Sequence, residues 1–464
     1  MEKQSNSHRL GNESIKKLLI RLSVPSIIAL ILGNSYNLVD TIFVGRLGVE
    51  AISALSIVFP IQMVLAGIAT GMGVGSQSLI SRLLGKKQKD DASLAAGNSI
   101  LLAIIFGFIT LILGLFFAKN IVSLFISDPT IINLATSYAR IILLGSFALF
   151  YLRAGLNILR GQGNYNLPMA VLLFTAIFNI VLDPILIFGL FGFPQLGVEG
   201  AAIATVLARC ISCVPITILL LSRRNEVPIT MRCFKINPSI IRSIVEVGIP
   251  TIMIQLVMSI TIAGTNKILE GLSIATIAIA VVGIYFKLQS VILTPVLALN
   301  RSFVPIVGYN FGAKNFNRIV EALKIALIFS FAVSFLAFLA FELIPGQLIS
   351  IFNPNQELIQ IGSDAFQRMN LLFFAVGPSV IFISLFQGMG KGVKVFIALA
   401  VRQFIAFFPI LYLLTVSFKH PTLWFAFPIA DFLAILVGLV LTYPDLKKLG
   451  LFEIFHRYKK KIST

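Results

Sequence analysis

The chain alternates long apolar stretches with short segments that carry charge, glycine or proline. The apolar stretches are about 20 residues long, the length that a helix needs to cross a bilayer core of about 30 Å. Helices satisfy their backbone hydrogen bonds internally and can therefore stand in lipid, where loops cannot. The pattern predicts about twelve spans, at residues 18–43, 52–80, 93–118, 131–158, 167–190, 198–221, 240–266, 273–303, 320–343, 358–386, 395–416 and 421–442.

Three segments recur in the same order, at an offset of about 226 residues. The segment LSVPSIIALILGNSYNLVDTIFVGRLG resembles VGIPTIMIQLVMSITIAGTNKILEGLS, SRLLGKKQ resembles GYNFGAKN, and NILRGQGN resembles LFQGMGKG. These matches indicate two homologous halves of six spans each. Since six is an even number, both halves insert in the same orientation, an arrangement that favours alternating access between two bundles.

The predicted fold is therefore an all-α integral membrane protein of two homologous six-helix bundles. Its composition agrees, because 57% of the residues are hydrophobic and only 12% are charged, against roughly 25% charged residues in soluble proteins. The predicted organisation is an N-terminal tail (1–17), an N-lobe (18–221), a basic linker (222–239), a C-lobe (240–442) and a basic C-terminal tail (443–464).

The net charge of +18 comes from basic residues in loops and tails beside the spans. Lys and Arg gather on the cytoplasmic side of membrane proteins, so their distribution predicts that both termini lie in the cytoplasm. We expect a multi-pass membrane protein whose basic segments contact anionic lipids of the inner membrane face. Nucleic acid is not an expected partner, and nothing in the sequence requires an oligomer, so a monomer is expected.

Two carboxylates lie in predicted spans of the N-lobe, where a charge costs about 2.5–3.5 kcal/mol at a helix centre. Asp40 ends the first span and Asp183 lies in the fifth. Asn179 shares a helix face with Asp183, and Tyr36 and Asn37 precede Asp40 by four and three residues. The spacing predicts that these polar side chains accompany the two acids.

Thr205 lies at a similar depth, about 10 Å below the outer end of the sixth span. The sequence thus predicts a pocket of two carboxylates, amides and a hydroxyl in the outer half of the N-lobe. Burial and a second carboxylate both favour the protonated form of an acid, so such a pair could exchange a proton for another cation. Na⁺ could bind the same oxygens, of Asp40, Asp183, Asn179 and Thr205. The competing interpretation places Asp40 in outer water and makes Asp183 a packing residue tied to Asn179.

In the C-lobe, Asp431 lies deep in the twelfth span, Lys287 interrupts the eighth and Arg402 interrupts the eleventh. Each basic residue could repel cations, pair with a buried acid or extend to an interface. The position of Arg402 near the cytoplasmic end favours extension to the interface, whereas Lys287 stays open. No bound metal is predicted, because the histidines lie in tails or loops and the pair Cys210 and Cys213 is more simply explained by helix packing.

The segments IRLSVPSIIALILGNSYNLVDTIFVGRLG, SRLLGKK, LRGQGN and FNIVLDPILIFG resemble the multidrug and toxic compound extrusion (MATE) family, most closely its bacterial DinF/MepA-type branch. The resemblance implies a V-shaped antiporter without a cofactor, driven by H⁺ or Na⁺. In related members the acidic residues of the first and fifth helices, which match Asp40 and Asp183, are implicated in coupling. The family's supporting polar positions match Tyr36, Asn37, Tyr138, Asn179 and Thr205.

One supporting asparagine of some relatives falls at Leu156, with Asn157 one residue later and about 100° round the helix. The acidic site of the C-lobe in another branch has no clear equivalent, which favours coupling through the N-lobe. The predicted function is cation-coupled export of lipophilic, cationic small molecules by alternating access of the two lobes, and not an enzymatic reaction. The alternative is a flippase or exporter of lipid-linked or other amphipathic substrates.

Overall fold

The computed structural model describes residues 6–124, 126, 129–222, 225–270, 272, 274–352, 354–417 and 422–448. The side chains of a few positions inside helices, among them 34–38, lie outside this description. Over the described residues the chain is helical and contains no strand. The all-α prediction is therefore confirmed.

The helices follow one another along the chain with short connections. They are α1 Asn6–Asn12, α2 Ile15–Gly45, α3 Val49–Gly85, α4 Lys89–Phe116, α5 Ala118–Ser123, α6 Pro129–Leu144, α7 Ser146–Gly161, α8 Asn166–Phe188, α9 Gly197–Leu221, α10 Pro238–Leu269, α11 Ala275–Ile292, α12 Thr294–Gly312, α13 Phe316–Leu343, α14 Pro345–Ser350, α15 Gln356–Met369, α16 Phe373–Met389, α17 Gly392–Ala400, α18 Phe408–Ser417 and α19 Ala426–Lys448. A π-helical segment, Val401–Phe407, joins α17 to α18.

Within the described ranges, seven helical stretches are long and apolar enough to cross a membrane singly. Three pairs of helices are long and apolar enough only when taken together, and each pair is bent: α6 with α7 by 43°, α11 with α12 by 48°, and α15 with α16 by 52°. The remaining long helices, α2 and α10, have 31 and 32 residues and coincide with the predicted spans 18–43 and 240–266. The fourth and tenth predicted spans, which are equivalent in the repeat, are both bent pairs.

The chain divides into two compact units. The first contains residues 1–13 and 20–255, and the second contains residues 14–19 and 256–464. The division falls inside α10, so the beginning of this helix belongs to the first unit and its end to the second. The limits proposed above for lobes, linker and tails stay a prediction.

In the first unit, α3 packs against α4, α6 and α7, and α9 packs against α6, α7 and α8. The segment after α9 docks on α4 through Asn98. The Asn98 amide donates to the Lys235 carbonyl at 3.0 Å, and the Asn237 N–H donates to Asn98 Oδ1 at 3.0 Å. The neighbouring Gly97 lies so close to the Cys233 carbonyl that a Cβ would be 2.0 Å from its oxygen. A glycine is therefore required where the linker meets α4.

The second unit has its core between α12, α13 and α16, with α19 packed on the π-helical segment. Tyr285 is buried among aromatic rings, with Phe366 at 5.7 Å and Phe427 at 5.8 Å between centroids. Asp445 of α19 pairs with Lys391, and with Lys394 of α17 at 2.6 Å. The ion pairs join the N-terminal end of α17 to the C-terminal end of α19.

Candidate functional site

Three contacts between α8 and α9 position the polar residues of the N-lobe. A Cβ on Gly200 would lie 2.4 Å from the Leu186 carbonyl oxygen, so only glycine permits the helices to approach this closely. Further along the interface, the Thr175 hydroxyl donates to Ser212 Oγ at 2.7 Å. Between these two contacts, the antiparallel helices bring Asn179 of α8 opposite Thr205 of α9.

Asn179 connects Asp183 with Thr205. Its amide nitrogen lies 3.1 Å from Asp183 Oδ1 and 3.4 Å from Thr205 Oγ1. The Asp183 side chain is completely buried. The structure thus brings together three of the residues singled out from the sequence, on two helices.

Asp40 joins this group from the end of α2. It is buried, and it interacts electrostatically with Asp183. Three residues after Asp40 and five residues after Asp183, the rings of Phe43 and Phe188 meet edge to face at 6.2 Å, an arrangement that aromatic pairs prefer. This contact holds the end of α2 beside the end of α8, so the interpretation of Asp40 as a residue in outer water does not fit its burial.

Tyr138 of α6 lies at the same cluster and interacts electrostatically with Asp40 and Asp183. Its hydroxyl accepts a hydrogen bond from the Gln62 amide at 3.0 Å. The sequence reasoning missed Gln62 of α3, although an amide within the apolar stretch FPIQMV was a visible signal. Four helices besides α9 therefore contribute polar groups: α2, α3, α6 and α8. We call Asp40, Tyr138, Asn179, Asp183 and Thr205 the acidic cluster.

Three buried oxygens of the acidic cluster have no hydrogen-bond partner among the described residues: Asp40 Oδ1, Asn179 Oδ1 and Asp183 Oδ2. Buried polar atoms in native proteins are nearly always paired, so such an exception calls for an explanation. Carboxylate, amide and hydroxyl oxygens are ligands for hard cations, and a carboxylate can also take a proton. The cluster therefore offers, within the described residues, three unpartnered oxygens of the kind that bind protons or hard cations.

Other predicted residues lie elsewhere or outside the description. The side chains of Tyr36 and Asn37 are outside the described residues, although their backbone belongs to α2. The Asn157 amide donates to the Arg153 carbonyl of its own helix at 2.8 Å and lies against Gly73 of α3. Asn157 therefore serves the packing of α7 on α3, and its amide nitrogen is not directed at the acidic cluster.

In the C-lobe, Arg402 pairs with Asp431, which corrects the preferred interpretation of Arg402 as a residue extended to the interface. Arg402 Nε and Nη2 lie 2.8 and 2.7 Å from Asp431 Oδ1. The pair joins the π-helical segment to α19, where a carboxylate next to a cation avoids the cost of a lone buried charge. Lys287 of α11 is exposed, so pairing with a buried acid does not describe it.

We expect a double-mutant cycle to show that Arg402 and Asp431 stabilise each other. The Arg402 and Asp431 side chains are 40% and 14% exposed. Breaking the pair should therefore cost less than the about 3–5 kcal/mol of a fully buried pair, and we expect about 1–2 kcal/mol. The measurement is thermal unfolding of Arg402→Gln, Asp431→Asn and the double variant in detergent.

The double variant should lose less stability than the sum of the two single variants, because neither charge is then left alone. Strict additivity of the two changes would show that the pair is not a stabilising contact.

Two features indicate the class of membrane protein to which the chain belongs: its many apolar spans, and the buried carboxylates inside one helical unit. Ionisable residues in membrane helices mark substrate and ion pathways in transporters. The fold and the site thus describe a multi-pass helical membrane protein of the transporter type.

The MatE family model matches residues 25–185 and 238–413, one segment in each half. Since these segments cover more than half of the chain, the protein belongs to the MatE family, and the resemblance noted in the sequence is confirmed. One relative is the multidrug export protein MepA of Staphylococcus aureus, 26% identical over 431 residues, covering 92% of this chain and 93% of that protein. Another is an FAD transporter of Shewanella oneidensis, 28% identical over 356 residues, covering 76% of this chain and 78% of that protein.

Solved structures agree over nearly the full length. A MOP superfamily transporter from Pyrococcus furiosus, described as having a binding pocket of reverse polarity that suggests a different function, superposes with a TM-score of 0.87 at 27% identity. The superposition covers 97% of this chain and 99% of the Pyrococcus furiosus chain. An outward-facing multidrug resistance MATE family transporter matches with the same TM-score, identity and coverage. These proteins are described as transporters or export proteins.

Proposed function

We propose that the protein is an antiporter of the bacterial inner membrane that exports lipophilic, cationic small molecules in exchange for H⁺ or Na⁺. The observation that carries this proposal is the acidic cluster, in which two buried carboxylates interact, and in which one oxygen of each carboxylate and the amide oxygen of Asn179 have no hydrogen-bond partner among the described residues. A cation that binds there satisfies these atoms and neutralises the charge.

The coupling follows from competition for one negative charge. Ionised Asp183 and Asp40 attract a cationic cargo, and a proton or Na⁺ that binds the same oxygens weakens their hold on it. Because only differential binding can shift a conformational equilibrium, the coupling ion and the cargo must favour different states of the two lobes. The protein then works by alternating access, as a monomer with both termini in the cytoplasm and basic segments at the anionic lipids. No cofactor enters this scheme.

The cargo class is proposed from the chemistry of the site and from the relatives. Carboxylates favour a positive charge, and the relatives include a multidrug export protein. A second candidate is export of an amphipathic anionic substrate, because another relative is described as an FAD transporter. A cluster of two carboxylates disfavours an anion, so the cationic cargo stands first.

The test is efflux from proteoliposomes that contain the purified protein. A fluorescent lipophilic cation is loaded, and a proton gradient or a sodium gradient is imposed separately. Movement of the cation driven by one gradient supports the antiporter and identifies its coupling ion. No gradient-driven movement of the cation, together with export of FAD in parallel vesicles, would favour the second candidate.

A further inference from the structure

A third charge lies beside the acidic cluster, and the scheme above does not use it. Arg209 belongs to α9, four residues after Thr205. It therefore lies about 6 Å further along the helix and about 40° round it, on nearly the same face. Ser212, whose hydroxyl contacts Thr175 of α8, is three residues after Arg209. It lies about 60° round the helix from Arg209, in the direction of Thr205. Arg209 thus stands at the border of the α8–α9 interface.

Arg209 lies deep within α9, far from both ends of the helix. It lies about 18 Å from Gly197, the outer end of α9, near the middle of a core of about 30 Å. Arginine at such a depth costs roughly 2.5–3.5 kcal/mol or more. It is half-buried, and within the described part of the chain it makes no hydrogen bond and no direct ion pair. A charge this expensive needs a compensating group nearby.

Asp40 is that group. Arg209 interacts electrostatically with Asp40 of α2 and Tyr138 of α6, and with its neighbour Cys210. The groups that act on Asp183 of α8 are instead Asp40 and Asn179. The two carboxylates of the cluster therefore have different surroundings, because Arg209 acts on Asp40, whereas the main interactions of Asp183 are with Asp40 and Asn179.

We propose that Arg209 is a specificity-determining residue that neutralises Asp40 and leaves Asp183 as the single uncompensated charge of the site. This inference rests on the proposed function, because it assumes a cationic cargo. With both acids ionised, the cluster and Arg209 together carry a net charge of about −1. The site is thereby adjusted to a cargo with one positive charge, and a dication gains little from its second charge.

Four forms of the protein separate the charges. Relative to the natural sequence, Arg209→Gln makes the site more negative by one charge, Asp40→Asn makes it neutral, and the double variant returns it to the natural value. The measurement is equilibrium binding to purified protein in detergent, at one pH and without Na⁺. The probes are tetraphenylphosphonium, a monocation, and dequalinium, a dication.

We expect Arg209→Gln to raise the affinity for the dication relative to the monocation by about tenfold, because an extra negative charge faces the second positive charge. Asp40→Asn should weaken monocation binding by about tenfold, and adding Arg209→Gln to it should restore binding to within about threefold of the natural protein. Arg209→Lys, which keeps the charge, should keep the natural ratio. Arg140→Gln, which removes an exposed arginine of α6, is the matched control and should change neither affinity.

The outcomes distinguish the inference from the function on which it rests. If the natural protein binds neither cation, the proposed function and this inference both fail. If it binds the monocation but Arg209→Gln leaves the ratio unchanged, only the role of Arg209 fails. A double variant that binds more weakly than Asp40→Asn alone would show a structural role and would also overturn the inference, since charge balance predicts rescue.

Discussion

Replacing Asp183 by Asn is expected to leave the protein in the membrane and to abolish gradient-driven export. Asparagine has nearly the same shape, so the packing of α8 on α9 should persist, but it can neither hold a negative charge nor exchange a proton. One carboxylate and a bound cation interact by about 2 kcal/mol or more at an effective dielectric constant of about 20. We therefore expect efflux in the proteoliposome assay to fall by roughly 30-fold or more.

The matched control is Asp364→Asn, the same substitution in an exposed ion pair of the C-lobe. Asp364 pairs with Arg368 one turn later on α15 at 2.8 Å, and its side chain is 38% exposed. Such surface pairs contribute about 0–1 kcal/mol, so efflux should stay within about twofold. Full export by Asp183→Asn, in protein that inserts and unfolds like the natural form, would contradict the coupling role of this carboxylate.

The sequence predicted contacts correctly where both residues lie on the same helix. Asn179 and Asp183 are four residues apart, and helix geometry alone places such residues on one face. The structure finds them 3.1 Å apart. The length of apolar stretches predicted the helices in the same way, since a bilayer fixes the number of residues that a span needs.

The sequence was less informative where two helices meet. Arg402 and Asp431 are 29 residues apart and lie on different elements, so no local pattern reveals that they pair. The bend of 43° between α6 and α7 was missed for a similar reason. Both halves of the bent span are apolar, and apolar periodicity does not register a change of direction at Gly145.

Arg209 was overlooked for a different reason. An arginine inside the apolar stretch VLARCISC is visible in the sequence, and its cost in a membrane marks it as a residue with a function. Its partner could not be identified, because Asp40 lies on another helix far away along the chain. Only the packing of the helices brings Arg209 close enough to Asp40 for an electrostatic interaction.

The second large effect concerns the close contact between Gly97 of α4 and the linker at Cys233. We expect Gly97→Ala to undock the linker from α4. The new Cβ would lie 2.0 Å from the Cys233 carbonyl oxygen, and ordinary contact begins at 3.4 Å. The linker must therefore retreat, and both hydrogen bonds of Asn98, to the Lys235 carbonyl and from the Asn237 N–H at 3.0 Å each, are strained or lost. Overpacking of this kind costs about 1–3 kcal/mol.

The thiol of Cys233 provides the measurement, because this residue is 5% exposed and is held against α4 by the contacts that Gly97 permits. In a background where Cys210 and Cys213 are replaced by Ser, labelling of Cys233 by a maleimide should accelerate by about tenfold in Gly97→Ala, the factor that corresponds to about 1.4 kcal/mol of easier opening. Gly283→Ala is the matched control, since a Cβ there meets nothing within 4 Å, and alanine in an open helical position is neutral or stabilising. Equal labelling rates in the two variants would show that the linker does not depend on the close approach at Gly97.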